Sequence, residues 1–170
     1  MGDRSVTRNC GPDLVRVGAG LPVAAYRDEI TTALHGGRAV IVAPPGTGKT
    51  TFVPPLVASR CSGRVIVTQP RRVAARAAAR RLATLTGTRP GEFASHTVHG
   101  ESTTTRDTKV EFVTTGVLLR RLLSDPDLTG VDAVVLDEVH ERHLDADLVV
   151  AMVCEVAQLR DDLTLSLIHI

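Results

Sequence analysis

The chain has 170 residues, 43% hydrophobic but only 2% aromatic, and a formal net charge of +1. That is about one domain of chain, with a core of Val, Leu, Ile and Ala of the kind buried parallel strands prefer. No apolar run reaches the ~20 residues of a membrane span, and Cys10, Cys61 and Cys154 lack metal-ligand spacing, so a membrane partner, a zinc scaffold and a disulfide scaffold are excluded and free thiols in a reducing cytoplasm are expected.

In chain order, residues 1–20 carry Gly, Pro and scattered charge without periodicity and no signal-peptide stretch, so they are expected to be a mobile segment. A helix is predicted over 23–34, closed by Gly36-Gly37. The apolar run 39–42 then leads into Ala43-Pro44-Pro45-Gly46-Thr47-Gly48-Lys49-Thr50-Thr51. A strand followed by this spacing points backbone N–H groups at a phosphate from a helix N-terminus. Lys49 adds charge for the β- and γ-phosphates, and the Thr50 hydroxyl is a ligand for Mg²⁺. The bland alternative is a chance Gly-Lys-Thr in a loop. Pro54-Pro55 is expected to shorten or kink the following helix.

A second strand, 64–67, runs into Thr68-Gln69-Pro70-Arg71-Arg72 and an Ala-rich helix over 71–83. Arg72, Arg76 and Arg80 fall on one face of it. Residues 109–114 alternate as a strand and precede a helix over 116–124. The apolar run 133–136 ends in Asp137-Glu138-Val139-His140-Glu141-Arg142. Acids at a strand exit are the Walker B arrangement: Asp137 holds Mg²⁺, and Glu138 orients or deprotonates water. The alternative is an acidic surface turn. A last helix over 146–159 places Leu148, Val149, Met152, Val153 and Val156 at core spacing. His35, His96, His99 and His143 form no ligand spacing and read as structural or exposed.

Strands alternating with helices predict an α/β fold, a parallel sheet flanked by helices, with ligands at the carboxyl ends of the strands. Charge is unevenly spread. No acid occurs over 31–91, whereas 125–162 holds eleven acids against Arg142 and Arg160. A basic half built around two phosphate-type motifs suits a protein that handles nucleotide and nucleic acid, although charge runs are often only solvated faces. The acidic half is expected to complement it within the fold.

Four ordered segments resemble the motifs of the DEAH/RHA group of superfamily 2 helicases. The run 46–51 looks like motif I, 68–75 like motif Ia, 114–120 like motif Ib and 137–142 like motif II. Leu21-Pro22-Val23, the stretch 70–83 and His99-Gly100-Glu101-Ser102 are most similar to the bacterial HrpB-type ATP-dependent RNA helicases. Two departures are Val139, where DEAH has Ala, and Thr115, where motif Ib commonly has Asp. The resemblance covers about 21–165 and implies a RecA-like P-loop NTPase domain, the first of two in such enzymes.

Carried over position by position, the resemblance implies that Gly46, Thr47, Gly48, Lys49, Thr50 and Thr51 surround ATP and that Arg81 stacks on its adenine. Thr50 and Asp137 hold Mg²⁺, Glu138 is the general base and His140 couples the γ-phosphate state to the second RecA-like domain. Arg71, Arg72, Thr114 and Thr115 contact the RNA backbone. Two other readings stay open: a phosphate-loop module binding nucleotide or RNA without turnover, and a duplex DNA translocase. Residues 166–170 are expected to be a non-native tail, because Leu165-Ser166-Leu167-Ile168-His169-Ile170 is what one frame of a sequencing-transposon adapter encodes. The alternative is a natural apolar strand. The second RecA-like domain is expected to be absent from this chain, leaving it inert as a helicase by itself.

Overall fold

The computed structural model describes residues 11–139 and 144–169. The first described helix, α1 (Leu14–Gly18), is capped by Asp13, whose Oδ1 accepts from the Val15 and Arg16 backbone at 3.1 Å each. Val17 on α1 is buried in the core, which anchors this turn within the segment 1–20. Its apolar pair, Leu14 and Val17, is too short to register as a period. A 3₁₀ turn (Pro22–Tyr26) and α2 (Arg27–Leu34) follow in place of one continuous helix.

The central sheet has seven strands: β1 (Arg38–Val42), β2 (Arg64–Gln69), β3 (Ala94–Val98), β4 (Glu101–Ser102), β5 (Val110–Thr114), β6 (Val131–Leu136) and β7 (Thr164–His169). Their order is β1-β7-β6-β2-β5-β3-β4, and every neighbouring pair is parallel except the antiparallel hairpin of β3 with β4. Helices α3 (Lys49–Ala58), α4 (Arg72–Thr86), α5 (Thr115–Ser124) and α6 (Leu144–Leu159) connect the strands. One core layer joins Val65, Val67, Ala133, Val135, Val110 and Phe112 to α3 and α4. The opposite layer joins Ile66, Val134, Leu136 and Val113 to α5 and α6. Central strands are thus covered on both faces, which is why they read as continuous apolar runs.

Several local expectations are corrected by this packing. Pro54 and Pro55 lie inside α3, which runs ten residues through both. Its residues 52–58 are all buried, and burial on every side outweighs the cost of about 3 kcal/mol for an interior proline. Leu148 is 45% exposed, unlike the buried Val149, Val153 and Val156. The strands β3 and β4 have no apolar pattern in the sequence. Ser95, His96 and Thr97 occupy β3, and their polar groups are satisfied inside the hairpin: Ser95 Oγ meets Thr104 Oγ1 at 3.1 Å, and His96 Nε2 meets Glu101 Oε1 at 2.8 Å. Residues 164–169 form β7 between β1 and β6, with Leu165, Ser166 and Ile168 buried. Here the apolar pattern behaves as a strand of the sheet.

Candidate functional site

The loop between β1 and α3 makes its turn through Gly46 and Gly48, at φ 76° and 88°. Only glycine adopts this left-handed backbone without strain, and at Gly48 there is a second constraint. A Cβ there would lie 2.9 Å from Leu21 Cδ2. The loop is also tied to the preceding turn, where the Val23 N–H donates to the Thr47 carbonyl at 3.1 Å. Gly48 is the N-cap of α3, and its carbonyl accepts from the Thr51 and Phe52 N–H groups. The N–H groups of Lys49 and Thr50 therefore head the helix at its positive end. Lys49 is buried, and its Nζ donates to the carbonyls of Ala43 and, at 2.8 Å, Pro44.

Asp137 leaves the end of β6 and is itself buried. Its Oδ2 accepts from Thr50 Oγ1 at 2.5 Å and from Gln69 Nε2 at 2.7 Å. Its Oδ1 accepts from the Glu138 N–H at 3.0 Å, and its own N–H donates to Thr68 Oγ1 at 3.2 Å. Glu138 has φ 57°, a conformation a non-glycine residue holds only when its surroundings impose it. The hydroxyl of Thr50 and the carboxylate of Asp137 are hard oxygen donors at one point beside a helix N-terminus. They fit Mg²⁺, which takes one or two protein oxygens and shares the rest with phosphate and water. Gly46, Thr47, Gly48, Lys49, Thr50, Asp137 and Glu138 are thus gathered at the carboxyl edge of the sheet. His140, Glu141 and Arg142 lie outside the described residues.

A cleft of about 210 Å³ beside the two acids is lined by Thr68, Pro70, Thr114, Thr115, Asp137 and Glu138. Pro70 and Thr114 also line an adjoining pocket of about 400 Å³ with Arg72, His99 and Arg120. Strand register causes this adjacency, because Gln69 pairs with Thr114 and Thr68 with Leu136. Arg71 is exposed at the N-cap of α4. The exposed His99 accepts through Nδ1 from Arg120 NH1 at 3.1 Å. The spacing of isolated histidines and arginines gave no hint of this pair. Arg81 is exposed on α4, and no hydrogen bond among the described residues ties it to the phosphate loop.

Not every cation of the basic half is open. Arg76 pairs with Glu101, whose carboxyl is held below the usual range by His96 first and Arg76 second. Arg64 reaches Glu111 at 3.3 Å. Glu111 is 1% exposed and receives a two-pronged clasp from Arg121, NH1 to Oε2 at 2.9 Å and NH2 to Oε1 at 2.8 Å, with Thr97 Oγ1 at 2.7 Å. Burial pushes its carboxyl up, but the hydrogen bonds and charge of Arg121, with Thr97 and Arg64, hold it below the usual range. These arginines take partners from the middle of the chain, away from the acidic stretch expected to complement them.

The DEAD/DEAH box helicase family model matches residues 26–153. The chain belongs to that family. Among relatives of this DEAD/DEAH box domain, the ATP-dependent RNA helicase HrpB of Escherichia coli (strain K12) is 44% identical over 149 residues, 85% of the chain and 18% of the relative. The ATP-dependent RNA helicase HrpA of Borreliella burgdorferi is 35% identical over 146 residues, 84% of the chain and 18% of the relative. The crystal structure of the Escherichia coli DEAH/RHA helicase HrpB superposes with a TM-score of 0.83 at 42% identity, covering 88% of the chain and 20% of that structure. The DEAD/DEAH box domain described here therefore has the helicase fold of HrpB and spans about a fifth of the length of these relatives. Among its described residues, no helix is long and apolar enough to cross a membrane.

Proposed function

We propose that this chain is the ATP-binding RecA-like domain, 21–165, of an HrpB-type ATP-dependent RNA helicase that couples nucleotide hydrolysis to movement along RNA. The observation that carries the reading is the placement of Asp137. Its carboxylate joins the phosphate loop, through Thr50, to the end of β2, through Gln69, at the mouth of a cleft shared with Thr114 and Thr115. In this reading the N–H groups of 46–51 and Lys49 bind the triphosphate, while Thr50 and Asp137 hold Mg²⁺. The bound ion neutralises phosphate charge. Glu138 takes the proton of the attacking water, and Arg81 stacks on the adenine. Arg71, Arg72, Thr114 and Thr115 hold the RNA backbone. His140 reports the γ-phosphate state to a second RecA-like domain. The free thiols of Cys61 and Cys154 accord with a cytoplasmic setting.

The test is nucleotide hydrolysis by the full-length protein with Mg²⁺, alone and with single-stranded RNA or duplex DNA. Stimulation by RNA supports the proposal. Binding without hydrolysis assigns the chain to a non-turnover module, and stimulation by duplex DNA alone makes it a translocase.

A further inference from the structure

Asp137 is held by more than the phosphate loop. Of the three donors on its carboxylate, Thr50 belongs to α3 and the Glu138 N–H to its own loop, but the third is the Gln69 amide at 2.7 Å. Gln69 is 4% exposed and is the last residue of β2. Its neighbour Thr68 accepts from the Asp137 N–H at 3.2 Å. The final two residues of β2 therefore grip both the main chain and the side chain of Asp137. A carboxylate requires a donor at this position: the amide nitrogen supplies one, whereas an acid of the same shape would oppose Asp137.

The residues that follow explain what such a grip transmits. Pro70 lines the cleft that contains Asp137 and Glu138, and also the adjoining pocket with Arg72, His99 and Arg120. Its ring restricts the main chain between Gln69 and the two arginines. Gln69 is also paired in register with Thr114, which lines both spaces. Gln69 is joined directly to Pro70, whose fixed φ limits how the chain at 70–72 can move without the end of β2 moving with it.

We infer that Gln69 is a positioning residue through which occupancy of the Arg72–Thr114 groove by single-stranded RNA sets the orientation of the Asp137 carboxylate. The inference rests on the proposed RNA-dependent function and deepens it. RNA and nucleotide are coupled through this amide, and the coupling is reciprocal.

The experiment uses the full-length protein with Gln69→Met, which keeps length and removes the donor, and Gln69→Asn, which keeps the amide and shortens its reach. Affinity for a fluorescent adenine nucleotide is measured with and without a saturating single-stranded RNA oligonucleotide, alongside a Mg²⁺ titration of nucleotide binding. In the unsubstituted protein RNA should change nucleotide affinity by roughly 5–150-fold, the usual size of such couplings. Both variants should bring that factor to within about two-fold of unity and raise the Mg²⁺ midpoint, while RNA affinity without nucleotide stays within about two-fold. Purely structural damage would lower both affinities together and leave their ratio intact. Unchanged coupling in whichever variant folds overturns the inference while leaving the RNA-dependent function standing. An unsubstituted protein that hydrolyses nucleotide without any response to RNA overturns both.

Discussion

Glu138 and Asp137 are adjacent acids with different surroundings, and the difference suits the separate roles proposed for them. Asp137 is buried with three donors on its carboxylate, whereas Glu138 is half-buried, at φ 57°, on the wall of the cleft. Glu138→Gln preserves shape and removes the base, so in the full-length protein nucleotide binding should survive and turnover should fall by ~10²–10⁴-fold. Lys49→Ala should weaken nucleotide binding itself. Turnover within a few-fold of the original in Glu138→Gln would show that another group activates the water. Glu111 invites a test of stability. Its folded carboxyl is held below the usual range, so its contribution is fully present above the unfolded value of about 4.3 and is lost as pH falls through the lower folded value. Glu111→Gln should cost less than the ~3–5 kcal/mol of a fully buried broken pair, because Arg121 keeps 26% exposure. Denaturant melts from pH 7 to pH 3 should show the gap between variant and parent closing in acid; a constant gap would mean that charge at Glu111 contributes nothing.

At the scale of elements, the exits of β1, β2, β5 and β6 carry all the described candidate residues except Arg81, which lies further along α4. The sequence of α4 suggests a continuous basic stripe, but Arg76 is diverted to Glu101 on the β3–β4 hairpin. Arg71 and Arg72 remain exposed at its start, beside the groove. If each holds one phosphate, Arg71→Ala or Arg72→Ala should weaken RNA binding evenly across sequences. The logarithmic salt slope should shrink in magnitude by roughly 0.7 for each phosphate that is no longer neutralised. Titrations of labelled RNA at several salt concentrations measure this. A slope unmoved by either substitution would place both side chains in packing instead.

For the molecule as a whole, the two sheet edges differ. Strand β4 is two residues long and polar, a blunt edge. Strand β1 leaves Val40 and Val42 65% and 66% exposed, and together with Tyr26 and Ile30 they line an open groove of about 630 Å³. An exposed apolar edge strand of this kind invites pairing with another chain. Purified residues 1–170 should therefore self-associate with rising concentration, and Val40→Lys should suppress it without changing the fold. Light scattering after size exclusion measures the mass. A steady 18.1 kDa monomer for the unsubstituted chain at every concentration would refute the expectation.

Local chemistry made much of this legible from the chain alone. Glycines with a lysine after one apolar run, and paired acids after another, marked by residue type and spacing the groups that the fold gathers at one edge of the sheet. The apolar run 133–136 announced a strand covered on both faces, whereas the equally apolar run 39–42 became the edge strand β1 with Val40 and Val42 exposed, and the resemblance to the DEAH/RHA helicases agrees with the family found. What only the tertiary structure decided is how segments far apart in sequence meet. Nothing local marks Gln69 as the partner of Asp137, 68 positions away; strand order and the register of Thr68 with Leu136 bring them together. Strand β3 was hidden for the same reason. Its Ser95, His96 and Thr97 look like loop residues until Thr103, Thr104, Glu101 and Glu111 fold around them and satisfy their polar groups. Spacing along the chain fixes which groups one loop can present, whereas a buried polar residue is determined by partners that only the assembled sheet brings within hydrogen-bonding distance.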